Sequence, residues 1–517
     1  MVDQAVLRQR LGQQRSASRT VAVTLPVPVG GLNARDSLEN MPPQDAIVLD
    51  NWFPEAGHVA IRPGYVEHGT GVGTGDVESL MTWRGATGSK LLAAGGTGVY
   101  NVSTAGAGTL VSGANVYTSN RWQTVNFKGR LFGFNGADAP WDYDGTTWTA
   151  TAWTGVTKAN LVQATVFKTR IMAVEINKAS FWYSGAAAVT GAMTEFDLST
   201  IARFGGTLQA LGTWTIDAGD GLDDLLVLVM STGEIITYQG TDPGDLTTFV
   251  KVGAYQGAPP IGRRCLTRFG GDLIVLTEAG YLPVSLIAQG WTLDKIIRET
   301  MWGKIAPAVK SLAVSYRGLW GWQASELLPT GKLYFNFPVL AVQSLFNIHA
   351  LTTETGAWGR GTSMNARCWG VYANETYFGG GSGVVYRHTG TADAGAGIVA
   401  ESKGAFVFVG DRNVRKRFTA MRPYLVNEGK MDLVRIGADI DFQTKSGGLT
   451  EAAFSASEGT PWGSPWGSPW GRVLKQARQR LTIGGSGRAI APRLEITSAS
   501  ATQWHSLEII AEMGGIL

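Results

Sequence analysis

The chain holds two cysteines, Cys265 and Cys368, in 517 residues. Two thiols rule out a disulfide-rich scaffold and leave no cluster for a structural zinc site. Charge is scarce as well: Asp, Glu, Lys and Arg make up 16% of the chain, against roughly 25% in an ordinary soluble domain. So few charges cover a large free surface poorly, which points to surface buried between subunits. The 44 basic and 41 acidic residues nearly cancel, leaving a net charge of +3, and so near-balanced a field gives no reason to wrap a polyanion. Long apolar runs are missing. The longest, Leu225-Leu226-Val227-Leu228-Val229-Met230, is far short of the ~20 residues a membrane helix needs, and no apolar stretch follows the N-terminal arginines as in a signal peptide.

Catalytic signatures are equally sparse. His58, His68, His349, His388 and His505 are scattered, without the paired spacing of a zinc protease. Gly85-Ala86-Thr87-Gly88-Ser89-Lys90 has the wrong order for a phosphate-cradling loop, and Gly380-Gly381-Ser382-Gly383-Val384 fits a serine elbow only if its last glycine is waived. No catalytic residue, cofactor or metal ion is therefore expected. The paired carboxylates of a glycosidase meet only in the fold, so a glycan-cleaving propeller stays open as the enzymatic alternative.

What the chain does have is glycine, 69 residues, and tryptophan, 18 residues. Glycine supplies tight-turn positions and aromatics favour half-buried pleated surfaces, so the chain reads as all-β. An internal repeat sharpens this. Phe127-Lys128-Gly129-Arg130-Leu131-Phe132 leads to Trp141-Asp142-Tyr143-Asp144-Gly145, and Phe167-Lys168-Thr169-Arg170-Ile171-Met172 leads to Phe181-Trp182-Tyr183-Ser184-Gly185 at a constant offset of 40 residues. Further copies start at Leu91, Leu226, Phe269, Leu333 and Tyr377. Each unit is an apolar strand, a turn and a second strand ending in an aromatic, which is a hairpin. One hairpin cannot bury its own apolar face, so units of this period pack radially, and a β-propeller of about six or seven blades is expected. A sandwich or stacked hairpins is the alternative.

The expected organisation has three parts: an N-terminal arm and extended lead-in over 1–40, the propeller over 41–397, and a β-sandwich-like domain over 398–517. The last part is drawn from longer alternating stretches such as Leu433-Val434-Arg435-Ile436-Gly437-Ala438-Asp439-Ile440. It contains a Pro-Trp-Gly-Ser repeat at 460–472, where a proline in every fourth position excludes a helix or central strand.

Four groups of residues stand out as candidate contacts. Arg8, Arg10, Arg15 and Arg19 form a basic arm that is either a tail, a docking arm for a neighbouring protein or a nucleic-acid contact. Trp462, Trp466 and Trp470 are large apolar groups placed for packing against a subunit or a distal partner. Arg412, Arg415, Lys416, Arg417 and Arg422 alternate with apolar residues, presenting charge on one strand face for an intersubunit or channel contact. Asp142-Tyr143-Asp144-Gly145-Thr146-Thr147-Trp148 and Asp217-Ala218-Gly219-Asp220-Gly221-Leu222-Asp223-Asp224 are acidic turns. The first lacks the remaining ligands of a calcium loop and reads as an amide-capping turn; the second is a solvated turn or an ion site.

Leu49-Asp50-Asn51-Trp52-Phe53-Pro54 followed by Arg62-Pro63-Gly64-Tyr65 resembles the N-terminal signature of the tail nozzle proteins of short-tailed bacteriophages (podoviruses), also called tail tubular protein B or tail hub proteins. Similar blocks are Gly219 to Asp224 leading to Gly233-Glu234-Ile235-Ile236-Thr237-Tyr238-Gln239-Gly240-Thr241-Asp242-Pro243, the spaced tryptophans, and the stretch from Trp504 to Gly515. The resemblance implies a structural virion protein: a homohexameric ring below the portal and adaptor rings, with an outer propeller, β-rich platform and nozzle regions, and tail fibre or spike proteins nearby. Phage DNA would pass through its lumen without sequence-specific binding, so acidic or neutral walls are expected, since many phosphate contacts would slow release. A propeller glycan hydrolase or lectin, and another head-to-tail connector component, are the alternatives.

Overall fold

The computed structural model describes residues 20–217, 222–340, 345–427, 431–443, 449–452, 475–477 and 480–513. The basic arm at Arg8 to Arg19, the three tryptophans at 462, 466 and 470, and residues 218–221 of the second acidic turn lie outside the described residues. The chain divides into two compact units: Pro63–Gly356 with Gly361–Gly390, and residues up to Arg62 with Ala357–Arg360 and Thr391–Leu517.

The first unit is a propeller of seven blades whose main strands are antiparallel, among the described residues. Blade 1 is Cys368–Tyr372, Glu375–Gly379, Val385–Arg387 and Val66–Thr70; blade 2 is Val77–Gly85, Gly88–Gly95, Gly98–Asn101 and Thr109–Leu110. Blade 3 is Gln123–Phe127, Arg130–Phe134, Trp141–Tyr143 and Trp148–Ala150; blade 4 is Leu161–Phe167, Arg170–Glu175, Ser180–Tyr183 and Thr194–Asp197. Blade 5 is Leu208–Asp217, Leu222–Met230, Glu234–Gln239 and Val250–Gln256, blade 6 is Leu266–Phe269, Asp272–Thr277 and Gly280–Pro283, and blade 7 begins with Gln323–Leu327, Lys332–Leu340 and Leu345–Thr352. The leading strand of each sheet packs beside the leading strand of the next, and that of blade 7 packs beside that of blade 1, so the ring closes. Closure is a strand exchange: Val66–Thr70, with Gly106–Ala107 parallel on its outer edge, completes the sheet whose three inner strands come some 300 residues later.

The repeat read from sequence marks the hairpins of these blades. Leu131 opposes Tyr143 in blade 3 and Leu226 opposes Tyr238 in blade 5. The two-residue turns Lys128-Gly129 and Lys168-Thr169 have positive φ throughout (48° and 73°, 42° and 67°), the conformation whose twist suits a tight hairpin. Packing between blades explains the apolar run at 225–230. Leu225, Val227 and Val229 join the core shared with blade 6, while Leu226, Leu228 and Met230 join the core shared with blade 4. A strand buried on both faces needs no polar alternation, so this run is a blade centre. Blade 2 repeats the logic, with Leu91 and Ala93 turned toward blade 1 and Leu92 and Ala94 toward blade 3.

One stretch departs from the all-β expectation. After blade 6 the chain forms helices Val284–Ala288, Leu293–Glu299 and Ala306–Tyr316. Thr292 caps the middle one by accepting from the Lys295 amide at 3.4 Å, and Ile287 and Ile296 are buried in the core of blades 5 and 6.

The second unit is built from two antiparallel sheets. In one, Lys416–Asn427 pairs with Thr502–Met513, flanked by Thr20–Leu25, His58–Ile61 and Trp52–Glu55 on one side and Leu481–Gly487 on the other. In the other, Asp45–Asp50, Ile398–Gly404, Ile490–Ser498, Met431–Ile440 and Thr450–Ala452 lie in that order. The sheets face each other as a sandwich. Ile440 of the second sheet fills the space over Gly485 and Gly487 of the first, where a Cβ would meet its carbons at 1.8 and 2.2 Å. Asn427 donates to Ser498 at 3.2 Å across the same layer.

The unit boundaries correct the sequence reading. The propeller starts at Pro63 instead of 41 and ends at Gly390 instead of 397. Residues expected in the arm and propeller belong to the sandwich, because Thr20–Leu25 zips along Leu507–Glu512 and Asp45–Asp50 along Ile398–Gly404. The cause is pairing between distant segments, which no local pattern records.

Candidate functional site at the mouth of the propeller ring

In blades 2 to 7, and in blade 1 from Cys368 to Arg387, the chain starts at the innermost strand and steps outward. The innermost strands of a closed ring built this way run in one direction, so the residues just ahead of them share one mouth of the channel. At that mouth, just ahead of these strands or in their opening residues, are Asp76 and Glu78 in blade 2, Arg121 in blade 3, Arg263 and Arg264 in blade 6, Trp320 and Gln323 in blade 7, and Arg367 in blade 1. Arg264 Nη1 reaches the carbonyl oxygen of Glu78 at 3.5 Å. Blades 6 and 2 are not neighbours, so this contact spans the mouth.

At its centre is Trp320. The Arg264 guanidinium lies 4.0 Å from the ring centroid and that of Arg121 lies 4.9 Å from it, both within cation–π range. Arg121 is held by Glu78 at 3.1 Å, and Arg367 by Asp76 at 2.7 Å. Arg263 donates to the carbonyls of Leu208 and Gln209 at 3.1 Å each. Arg264 spends Nη1 on Gln323 Oε1 at 3.1 Å, an oxygen that also accepts from the Trp369 amide. Its Nε and Nη2 are buried without a hydrogen-bond partner, as is Trp320 Nε1. Desolvation lowers the Arg264 pKa to about 10, with the Cys368 thiol and Glu78 opposing that shift. The two cysteines follow Arg264 and Arg367 in sequence, and burial pushes the Cys265 thiol up to about 12 and the Cys368 thiol up to about 11. The arrangement offers desolvated cationic N–H donors beside an aromatic face.

The basic cluster takes a different course from the one expected. Arg417 pairs with Glu512 at 3.7 Å and Arg422 with Glu508, both across the strand pair Lys416–Asn427 and Thr502–Met513. Arg417 and Arg422 are an odd number apart and would point to opposite faces of a regular strand. A bulge between Phe418 and Ala420 absorbs one residue and sets both over the glutamates of one face. Lys416 turns inward instead, fully buried, its ammonium donating to the carbonyls of Asp411 and of Arg488. Arg415 donates to Ser486 at 3.0 Å, and Arg412 stacks on Phe408 at 4.2 Å with Glu39 3.8 Å away. The five cations do not form one bare face, and three of them meet acids of their own unit.

The acidic turn in blade 3 caps its own backbone: Asp144 accepts from the amides of Thr147 at 2.7 Å and Thr146 at 2.9 Å, and these bonds hold its carboxyl below the usual range. Asp224 accepts from Thr215 at 2.7 Å and pairs with Lys168 at 3.4 Å.

Sequence reasoning passed over the mouth residues. The signal was present: Arg121-Trp122-Gln123, Arg264-Cys265-Leu266 and Arg367-Cys368-Trp369 each place an arginine just ahead of an innermost strand. Only ring closure gives that position its meaning.

No protein-family model and no curated protein matches the chain. Among solved structures it is similar to BamB from Moraxella catarrhalis (11% identity, TM-score 0.37, covering 71% of this chain and 97% of that one) and to YCF48 bound to D1 peptide (9%, 0.35, 65% and 96%). It is also similar to a 6-phosphogluconolactonase-like protein from Bacteroides uniformis (12%, 0.35, 65% and 92%). The fold assigned above rests on sheet order and ring closure: the chain is a β-propeller protein with a β-sandwich unit.

Proposed function

We propose that the chain is a non-enzymatic structural subunit of a short-tailed phage particle, one copy of the tail nozzle ring below the portal and adaptor. The observation that carries this reading is what the residues of the Leu49-to-Tyr65 signature do. Arg62 is the last residue of the sandwich before the propeller, and Asp393 stands where the chain has just returned to it. They form a two-pronged ion pair at 2.8 and 2.7 Å, with the Arg62 side chain fully buried. Asn51, held at φ 58°, accepts from Arg62 Nε at 2.8 Å and donates to the Val399 carbonyl at 2.7 Å. Trp52 packs on Trp504, and Tyr65 meets Phe378 and Tyr386 edge-on within the propeller.

The signature thus fastens the departure and return of the chain around an inserted propeller. A buried bidentate pair resists displacement because separating it leaves an uncompensated charge, which suits a part with a mechanical duty. Scarcity of charge and the exposed side chains of Val116, Leu246, Val314 and Leu328 favour surfaces that copies of the chain, the adaptor or tail fibre proteins cover. In this reading DNA passes through the lumen of the assembled ring and the chain catalyses no reaction.

The test is the mass and shape of the full-length protein, by analytical ultracentrifugation and negative-stain microscopy, together with peptide mass spectrometry of purified phage particles. A closed ring of copies, and its peptides in the particle, are expected. A monomer at every concentration, absent from particles, or release of sugar from host surface polysaccharide, overturns the reading.

A further inference from the structure

We propose that the mouth of the propeller ring is a binding site for a carboxylate or phosphate oxyanion, seated on the Nε/Nη2 edge of Arg264 with Trp320 as its removable cap. A guanidinium presents that edge as two parallel N–H donors, the spacing that accepts two oxygens of one anion. In this protein both donors are buried and neither has an acceptor. Nearby acceptors are already engaged: Glu78 holds Arg121, and Gln323 Oε1 serves Arg264 Nη1 and the Trp369 amide.

The charge around the fork is unbalanced in the same direction. Arg121, Arg264 and Arg367 face Glu78 and Asp76, three cations against two anions. With a pKa of about 10, Arg264 keeps its proton at neutral pH. A desolvated cation attracts an anion more strongly than one in water does, and a buried donor left unpaired is costly, so an arriving oxyanion relieves a penalty as it binds.

Access has a structural basis. Trp320 sits in the short run Gly318-Leu319-Trp320-Gly321, outside the regular elements, and Gly321 has φ 116°, open to glycine alone. The run is tied down at Leu319, which donates to the Tyr316 carbonyl, and at Gly321, whose carbonyl accepts from Asn336 at 2.8 Å, so uncapping in this proposal is a turn of the Trp320 side chain that leaves the strands in place. The site is complete within one chain and stands or falls apart from ring assembly.

The test uses the full-length protein and isothermal titration calorimetry at constant ionic strength, with inorganic phosphate in one arm and glutarate in the other, so that the two sources of oxyanion are separated. Saturable binding of one anion per chain is expected in at least one arm. Arg264→Lys, which keeps the charge and loses the fork, is expected to weaken it at least tenfold, whereas Arg417→Lys, on the exposed face of the sandwich unit, is expected to leave it unchanged. In Trp320→Ala the cap is gone and the fork remains, so undiminished affinity with faster association is expected. Absence of saturable binding in both arms, or equal binding by the wild type and Arg264→Lys, overturns the proposal. Loss of binding in Trp320→Ala overturns it too, whether or not Arg264→Lys folds.

Discussion

The propeller and the sandwich reach stability by different routes. Each blade after the first is a continuous piece of chain whose strands pair in the order they appear, and the cores lie between one blade and the next. The sandwich joins segments from both ends of the chain, and its longest pairing, Lys416–Asn427 with Thr502–Met513, is braced by Thr20–Leu25. A propeller built from neighbours localises damage. A sandwich built from distant pieces depends on the few residues that hold those pieces in place.

The sharpest way to break this contrast is Arg62→Ala. Removing one partner of a buried, hydrogen-bonded ion pair costs about 3–5 kcal/mol, and hydrogen exchange is expected to show the loss first in Asp45–Asp50 and Ile398–Gly404 while blades 3 to 5 keep their protection. Equal loss in both regions would mean that they unfold as one cooperative unit. Leu228→Ala probes the opposite side. Its side chain is fully buried between blades 4 and 5, so a cost of roughly 2–5 kcal/mol is expected, read by denaturant melts, with exchange rising in those two blades before the sandwich.

How much of this was legible in the sequence follows from the same contrast. The hairpin offset between Phe127 and Phe167, and the copies at Leu91, Leu226, Phe269, Leu333 and Tyr377, mark the hairpins of all seven blades, because a blade is a local object and leaves a local pattern. The pairing of Val66–Thr70 with Val385–Arg387 and the place of residues 20–62 in the sandwich left no such trace, since each joins strands hundreds of residues apart. The helices after blade 6 were also missed, although Thr292 stands as a cap ahead of Leu293, Ile296 and Ile297. The mouth arginines were visible as residues and unreadable as a site, because Arg264 meets Glu78 only once the ring has closed. For the basic cluster, one bulged residue at Phe418 to Ala420 decided which charges share a face.

Smaller effects sharpen the picture. A double-mutant cycle on Arg417 and Glu512 is expected to give a coupling of at most about 1 kcal/mol, since the arginine is exposed and cross-strand pairs of this kind are weak; a larger value would mean that the sandwich depends on its surface charges. The thiols give the smallest effect near neutrality. Burial raises Cys265 and Cys368 to about 12 and about 11 from a starting value of 9.0, so neither is expected to react with a disulfide reagent at pH 8 until the protein unfolds. An acid whose pKa is raised on folding binds its proton more tightly in the native state, so stability is retained below pH 9 and declines as pH rises from there toward 11 and 12. Melts across that window check the sign.

The strand exchange that closes the ring also sets a timetable. Val66–Thr70 leaves the ribosome more than 300 residues before Val385–Arg387, its partner in blade 1. At synthesis rates of roughly 5–20 residues per second, it waits on the order of 15–60 seconds with an open edge, and Thr20–Leu25 waits longer still for Thr502–Met513. Until those partners emerge, the nascent polypeptide carries two strands that each lack a neighbour, and Thr502–Met513 on its arrival locks Thr20–Leu25 into place.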